Sequence, residues 1–329
     1  MNDFSYSRPT TTTEAIQTLL SHPDALYLAG GTNVIDHLKL GVVTPSQLVD
    51  IRHLGLDKIS TDAQSVTIGA GATNSAAAYH HEIQTHFPAL AEAILAGASP
   101  QLRNVATTGG NLLQKTRCTY FRDIHSACNK RQPGSGCAAL EGFNRSHAIL
   151  GTSDACIATH PSDMAVALTA LEAVIHIQDQ SVVRTVPIEA FYVSYGEDPA
   201  KENVLKPGDL IVAIEIPRTA WAGHSRYVKA RDRSSYEFAL ASAAVAVDVD
   251  AGKIRNCRIA LGGVATKPWR AHAAEAALMG QSATPVAFRA AAEAELASAK
   301  AQKENGFKIE LCKRVMVKAL QEAAEMRRA

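Results

Sequence analysis

The chain has 329 residues, 47% of them hydrophobic, and a formal net charge of +1. That length suits two or three domains, and that composition builds a sizeable core, so wholesale disorder is excluded. The even charge leaves no global footprint for nucleic acid or an anionic membrane, and no apolar run approaches the roughly 20 residues that cross a bilayer.

The first residues, Met1–Tyr6, lack the basic start and apolar run of a secretory signal. The expectation is a chain with no export signal of its own, either cytoplasmic or carried to the periplasm by a signal-bearing partner. A βαβ-like segment follows. Thr11–Leu20 has helical apolar spacing behind a threonine run suited to capping, Ala25–Ala29 is a short apolar strand, Val34–Leu40 is helical and Gln47–Ile51 is a strand. Between the first strand and its helix stands Leu28-Ala29-Gly30-Gly31-Thr32-Asn33-Val34. Two glycines there admit close approach of a ligand, and the amides of a helix start suit a pyrophosphate. Alone, a Gly-Gly turn is more often only a turn.

Ser65–Ala70 alternates as a strand, and Ser75–His80 and Ala89–Ala96 are alanine-rich helices. Next comes a second glycine turn, Ala106-Thr107-Thr108-Gly109-Gly110-Asn111. Neither turn is the G-x-G-x-x-G fingerprint and no Walker lysine loop occurs, which disfavours a Rossmann NAD domain. Two such turns in one chain make a bound nucleotide or flavin as plausible as none.

Arg117–Thr159 reads as a long irregular loop, which calls for a function or for something other than a core to hold it. Four of the six cysteines lie in it: Cys118, Cys128, Cys137 and Cys156, separated by nine, eight and eighteen residues. A thiolate quartet holds zinc or an iron–sulfur cluster. The paired knuckles of structural zinc and the compact ferredoxin runs are both missing, so spacing alone leaves cluster, zinc and incidental thiols open. The neighbours Arg117, Asn129, Lys130, Arg131 and Gly136 favour thiolates and an anionic centre. His125, His147 and His160 lie in or beside the loop, where a solvated or hydrogen-bonded histidine is the ordinary reading and a ligand the rarer one.

Met164–Leu171 is then helical, and Ala173–Ile177 and Leu210–Ile216 are strands. A boundary falls near Pro217–His224. Beyond it, the strands Tyr227–Ala230, Ala239–Val249 and Cys257–Gly262 precede the helices Ala271–Met279, Pro285–Ala297 and Ile309–Met326, an α+β arrangement.

Leu28–Val34, Gln101–Leu113, His160–Met164 and Leu261-Gly262-Gly263-Val264-Ala265 together resemble the FAD-binding subunits of the xanthine dehydrogenase family of molybdenum hydroxylases, over essentially the whole chain. The insert between Gln114 and Cys156, with Cys128-Asn129-Lys130-Arg131 and Gly134–Gly142, resembles the periplasmic aldehyde oxidoreductase branch and, less closely, 4-hydroxybenzoyl-CoA reductase. The resemblance implies a mixed α/β, α+β chain with the vanillyl-alcohol-oxidase (PCMH-type) FAD-binding fold: an α/β subdomain over 1–57, a second over 58–217 with a loop insert at about 114–160, and a C-terminal α+β domain over 224–329. It implies FAD and a [4Fe–4S] cluster on this chain, with Cys118, Cys128, Cys137 and Cys156 as ligands. It also implies a large partner holding the molybdenum cofactor, a small partner holding two [2Fe–2S] clusters, electron transfer from aldehyde oxidation to an acceptor, and no substrate-directed catalytic residue here.

By the same resemblance Leu28, Ala29, Gly30, Gly31, Thr32, Asn33 and Val34 wrap the FAD pyrophosphate. Thr108, Gly109, Gly110 and Asn111 lie against the flavin and its phosphate–ribityl side. Asp163 bonds the ribityl or ribose, Ile211 lies beside the adenine and Lys229 near the isoalloxazine. The plain alternatives are an N-cap for Asp163 and a solvated strand residue for Lys229. The rival functions are a 4-hydroxybenzoyl-CoA-reductase-like flavin subunit and a zinc-stapled binding protein without redox chemistry.

Overall fold

A computed structural model describes residues 2–196 and 198–326, in three sheets with helices packed on and between them. The first sheet is small and parallel: Gln47–Asp50 lies between Ser5–Ser7 and Leu26–Leu28. Parallel neighbours require crossovers, which the helices Thr12–Ser21 and Val34–Leu40 supply. The threonine run does cap the first helix. Thr11 Oγ1 accepts from Glu14 N at 3.1 Å, and Glu14 reaches back to accept from Thr10 N at 2.7 Å. Ala15, Ala25 and Val49 fill one side of this sheet, and Leu28, Leu38 and Leu48 fill the other.

The second sheet is antiparallel, in the order Ile59–Thr61, Ser65–Gly69, Leu210–Pro217, Val174–Gln178, Val183–Pro187. Its central strand comes from far along the chain, and the residues between Gly69 and Val174 form the helical layer and the cysteine insert. The helices Pro88–Ala96 and Asp163–Ala170 pack there, and all eight residues of the latter are buried. A helix apolar on every side must have neighbours on every side. This one lies between the second sheet and the third.

The third sheet is antiparallel, Trp269–Arg270, Lys253–Gly262, Ala241–Asp250, Ser225–Ala230, and the helices His272–Leu278, Pro285–Leu296 and Phe307–Ala324 cover it. Side chains alternate across a strand. Ala241, Ala243, Val245 and Val247 accordingly enter the core under those helices, while Ala244 faces the central core with Val166 and Ile214. Burial of both faces explains why Ala241–Val247 is apolar almost throughout, where a half-exposed strand would alternate.

Several short elements depart from the sequence expectation. Ser5–Ser7, Ile59–Thr61 and Val183–Pro187 are edge strands, mostly exposed and too polar to stand out. The second glycine turn is a turn of helix, Thr108–Leu112, and the irregular insert contains another, Thr119–Arg122. Among the described residues, no helix is long and apolar enough to cross a membrane.

Candidate flavin and cluster site

The two glycine turns meet. Gly30 lies so close to the segment entering the second turn that a Cβ there would stand 2.1 Å from Val105 O. Gly31 has φ +73°, which favours glycine. On the other side Thr107 Oγ1 caps the short helix by accepting from Gly110 N at 3.2 Å, and Gly109 N donates to Ala70 O at 2.9 Å. Asn33 joins the two turns: its Oδ1 accepts from Lys115 N at 3.0 Å. Its Nδ2 is buried with no hydrogen-bond partner, a donor left over at the mouth of the turn. An orphan donor beside part-exposed glycine backbone at a helix start is what an anionic phosphate needs, so these residues fit a pyrophosphate.

The remaining sequence candidates divide. Leu28 is buried in the first sheet's core, and Ala29, Thr32 and Val34 are half-buried at the turn. Thr108 is wholly buried, and its hydroxyl donates to Gly69 O at 2.9 Å, so the side chain ties two loops rather than facing the opening. Gly110 is exposed, and Asn111 Oδ1 accepts from Ser162 Oγ at 2.6 Å and from Gln114 Nε2 at 2.7 Å. Ile211 is buried on the central strand of the second sheet. Asp163 is not the helix cap; Ser162 is, accepting from Ala165 N at 3.0 Å. Nor is Lys229 a solvated strand residue. Its side chain is 4% exposed and its Nζ donates to Asp163 Oδ2 at 2.8 Å and to Ala96 O at 3.1 Å. Tyr227 OH donates to the other oxygen, Asp163 Oδ1, at 2.5 Å. Burial and the adjacent Asp163 keep that phenol far above its ordinary pKa, hence protonated.

The insert folds back over this site. Arg122 grips Asp36 through two nitrogens at 2.6 and 3.0 Å, fixing the insert to the helix that the first glycine turn opens. Cys128 and Cys137 face each other across an antiparallel bridge, whose turn uses Gly134 at φ +84° and Gly136 at φ +95°. Asn129 closes it: its Oδ1 accepts from Gly136 N at 2.7 Å and its Nδ2 donates to Ala155 O at 3.0 Å, drawing in the segment of Cys156. Cys137 and Cys156 are coupled neighbours: the Cys156 side chain holds the Cys137 thiol below its ordinary value, while Cys137 and burial push the Cys156 thiol up. Cys118 packs with Cys156 against Tyr195, and burial pushes its thiol up to about 11. The four cysteines, spread over the insert in sequence, thus converge, two buried and two half-buried. Among the described residues, no three His, Cys, Asp or Glu side chains are arranged to hold a single metal ion. Cys257 and Cys312 are buried elsewhere, under the C-terminal helices.

The sequence reading missed what backs this quartet. Glu202 bridges Lys130, at 2.6 Å, and Lys115. The Lys130 ammonium also stands 3.8 Å from the centre of the Tyr195 ring. Glu202 is 72 residues from Lys130, so no local pattern announces the pairing.

One buried histidine yields a pH prediction. His37, on the helix opened by the first turn, has its Nε2 unpartnered, and burial together with the Arg117 and Arg122 cations holds it down to about 4. The unfolded chain binds this proton near its ordinary value of about 6.5 and the folded chain does not. His37 therefore contributes stability present above about pH 6.5 and lost as pH falls toward 4, at up to about 1.4 kcal/mol per pH unit. Urea unfolding at about pH 7.5 and about pH 5 should show the decline, and His37→Leu should flatten it. An unchanged acid limb in the variant would locate the loss elsewhere.

Comparison with known proteins identifies both parts of the chain. Residues 2–219 match the FAD binding domain of molybdopterin dehydrogenases and residues 226–323 match the CO dehydrogenase flavoprotein C-terminal domain. The chain belongs to the FAD-binding subunits of the molybdenum hydroxylase family. It is 48% identical over 325 residues to the aldehyde oxidoreductase FAD-binding subunit PaoB of Escherichia coli K12, covering 98% of this chain and 99% of that one. It is 28% identical to the glyceraldehyde dehydrogenase medium chain of Sulfolobus acidocaldarius, covering 85% and 82%. Among solved structures, it resembles quinoline 2-oxidoreductase from Pseudomonas putida 86, with TM-score 0.76, 25% identity and coverage of 98% and 97%. The carbon monoxide dehydrogenase of Hydrogenophaga pseudoflava is similar at TM-score 0.76 and 26% identity, covering 98% of each chain.

Proposed function

We propose that this chain is the FAD- and [4Fe–4S]-carrying electron-transfer subunit of a heterotrimeric molybdenum hydroxylase that oxidises aldehydes. Electrons would arrive from a large molybdenum-cofactor chain through a small chain with two [2Fe–2S] clusters and leave through FAD to an acceptor. The observation that carries the reading is the convergence of Cys118, Cys128, Cys137 and Cys156 in an insert that Arg122 fastens to Asp36, on the helix after the first glycine turn. The 48% identity to an aldehyde oxidoreductase FAD-binding subunit supports the substrate class. On this reading residues 1–57 and 58–217 form the two flavin-binding subdomains and 224–329 the C-terminal domain.

Thiolates on one zinc ion lie about 2.3 Å from it and so crowd together, whereas ligands of a four-iron cube stand farther apart. The Arg117, Lys130 and Arg131 cations offset the charge of four thiolates.

FAD, when bound, supplies the electron exchange, and the protein's part is to hold and orient it. Asn33 Nδ2 and the backbone of Ala29–Val34 hold the pyrophosphate. Thr108–Asn111 shape the facing wall, where Gly109 and Gly110 keep side chains out of the way. Asp163, fixed by Tyr227 and Lys229, presents a carboxylate of set orientation toward the ribityl or ribose hydroxyls, with Lys229 toward the isoalloxazine and Ile211 toward the adenine.

The purified protein should show flavin bands above a broad iron–sulfur shoulder. Serine at each of the four positions should lower iron and acid-labile sulfide severalfold, while Cys257→Ser and Cys312→Ser leave both unchanged. A position where serine keeps a full four-iron complement is not a ligand, and a colourless protein with stoichiometric zinc would sink the reading.

A further inference from the structure

His147 lies in the insert between Cys137 and Cys156 and is 4% exposed. Its ring Nε2 is 3.2 Å from Cys118 Sγ, and its Nδ1 is buried without a hydrogen-bond partner. Each nitrogen has one capacity in the neutral ring: one donates and the other accepts. A proton on Nδ1 would leave an N–H buried with no acceptor and would point the Nε2 lone pair at sulfur. A proton on Nε2 leaves only an unpaired acceptor and gives sulfur a donor. When Cys118 is a ligand it carries no proton, so it can only accept.

We propose that His147 is a positioning residue that donates Nε2–H to the Cys118 thiolate and thereby raises the reduction potential of the cluster held there. The inference rests on the cluster reading above. Reduction adds one electron to the cluster and so makes its ligand sulfurs more negative. A donor aimed at one of them stabilises the reduced form more than the oxidised form.

The backbone around His147 is built to hold that aim. Its N–H donates to Asn144 O at 3.0 Å. Its carbonyl accepts from Lys308 Nζ at 2.9 Å and from Asn305 Nδ2 at 3.2 Å. The same Lys308 ammonium also donates to Ser146 O at 2.9 Å and Gly263 O at 2.5 Å, so three carbonyls use its three donors. Tyr120 packs at the ring, with centroids 6.4 Å apart. A residue that only filled space would need none of this backbone restraint.

The test uses the full-length chain and reads cluster potential by redox titration with electron paramagnetic resonance, beside iron and acid-labile sulfide. His147→Leu keeps the bulk and removes the donor, while His147→Gln keeps an N–H of comparable reach. The leucine variant should keep its iron, and its potential should move negative by about tenfold in the reduction equilibrium, close to 59 mV for one electron. The glutamine variant should return most of the way to the parent. Equal potentials in parent and leucine variant, with full iron in both, overturn the donor role and leave the cluster reading standing. Absence of iron from the parent sinks the cluster reading and this inference together. Should the leucine variant fail to load iron, the glutamine variant decides. Loading at the parent potential supports donation, and loss of iron there as well overturns it in favour of a purely steric role.

Discussion

Replacing Gly30 with alanine should strip most of the FAD from the purified chain. The new methyl group would stand 2.1 Å from Val105 O, 2.8 Å from Val105 C and 3.0 Å from Ala106 Cα. All three are backbone atoms, so no side chain can swing aside, and the two glycine turns must separate. Overpacking of this kind costs about 1–3 kcal/mol, and more where the obstacle is rigid. The flavin suffers beyond the loss of stability, because both walls of its proposed groove are displaced. Gly223→Ala is the control. Its Cβ would meet only Thr85 O, at 4.0 Å, and it should leave flavin content and melting temperature unchanged. The measurement is the ratio of FAD to protein after desalting, alongside a thermal melt. A Gly30→Ala protein with full flavin and the parent melting temperature would mean that the turns do not touch as described.

The second large effect belongs to Glu202. Burial alone would raise its pKa, yet the Lys115 and Lys130 cations together pull it below its ordinary value, so it is a carboxylate between two ammonium groups. The partners differ in what they can do once it is gone. The Lys115 side chain is 40% exposed and can turn to water, whereas that of Lys130 is 2% exposed and cannot. Glu202→Ala therefore leaves a buried charge without its carboxylate partner, held by Pro199 O, the face of Tyr195 and the nearby Cys156 sulfur. Breaking a buried pair in this way costs about 3–5 kcal/mol. Denaturant unfolding should show that loss and, on the proposed cluster reading, iron should fall with it, because Tyr195 and Lys130 back the cysteines. Combining Glu202→Gln with Lys130→Met removes the stranded charge as well and should recover most of the stability. A double variant as unstable as Glu202→Ala would show that the charge pair is not the cause.

Much of the fold was legible because it rests on local signals. The threonine run before Glu14, the Gly-Gly breaks after apolar strands, and the alternation of Leu210–Ile216 each report a boundary or a face that their own neighbours determine. The two turns and the four cysteines were visible for the same reason. What escaped was decided at long range or at an edge. Val183–Pro187 pairs with only one neighbour and stays largely exposed, so nothing forces it to be apolar. Thr108 looked like a ligand contact, yet its hydroxyl is spent on Gly69, 39 residues away. Asp163 and Lys229 were readable as two separate contacts to a cofactor, while their pairing with each other across 66 residues was not. Glu202 lies in an unremarkable polar stretch, and its importance appears only when Lys115 and Lys130 arrive beside it.

The fastening of the insert to residues 300–308, which lead into and begin the last helix, has a consequence for biosynthesis. Asn144 and Glu304 exchange hydrogen bonds, each backbone N–H to the other's side chain, at 3.0 Å in both directions. Lys300 N donates to Ile149 O at 2.8 Å, and Asn305 and Lys308 hold His147. A ribosome makes the cysteines well before it makes these anchors, about 160 residues later in the chain. While the chain is still emerging, the thiols would hang on an untethered loop, exposed to oxidants and to stray metal ions. On the cluster reading proposed above, the quartet takes its folded shape only once residues 300–308 have been made, so iron loading would follow the synthesis of that segment.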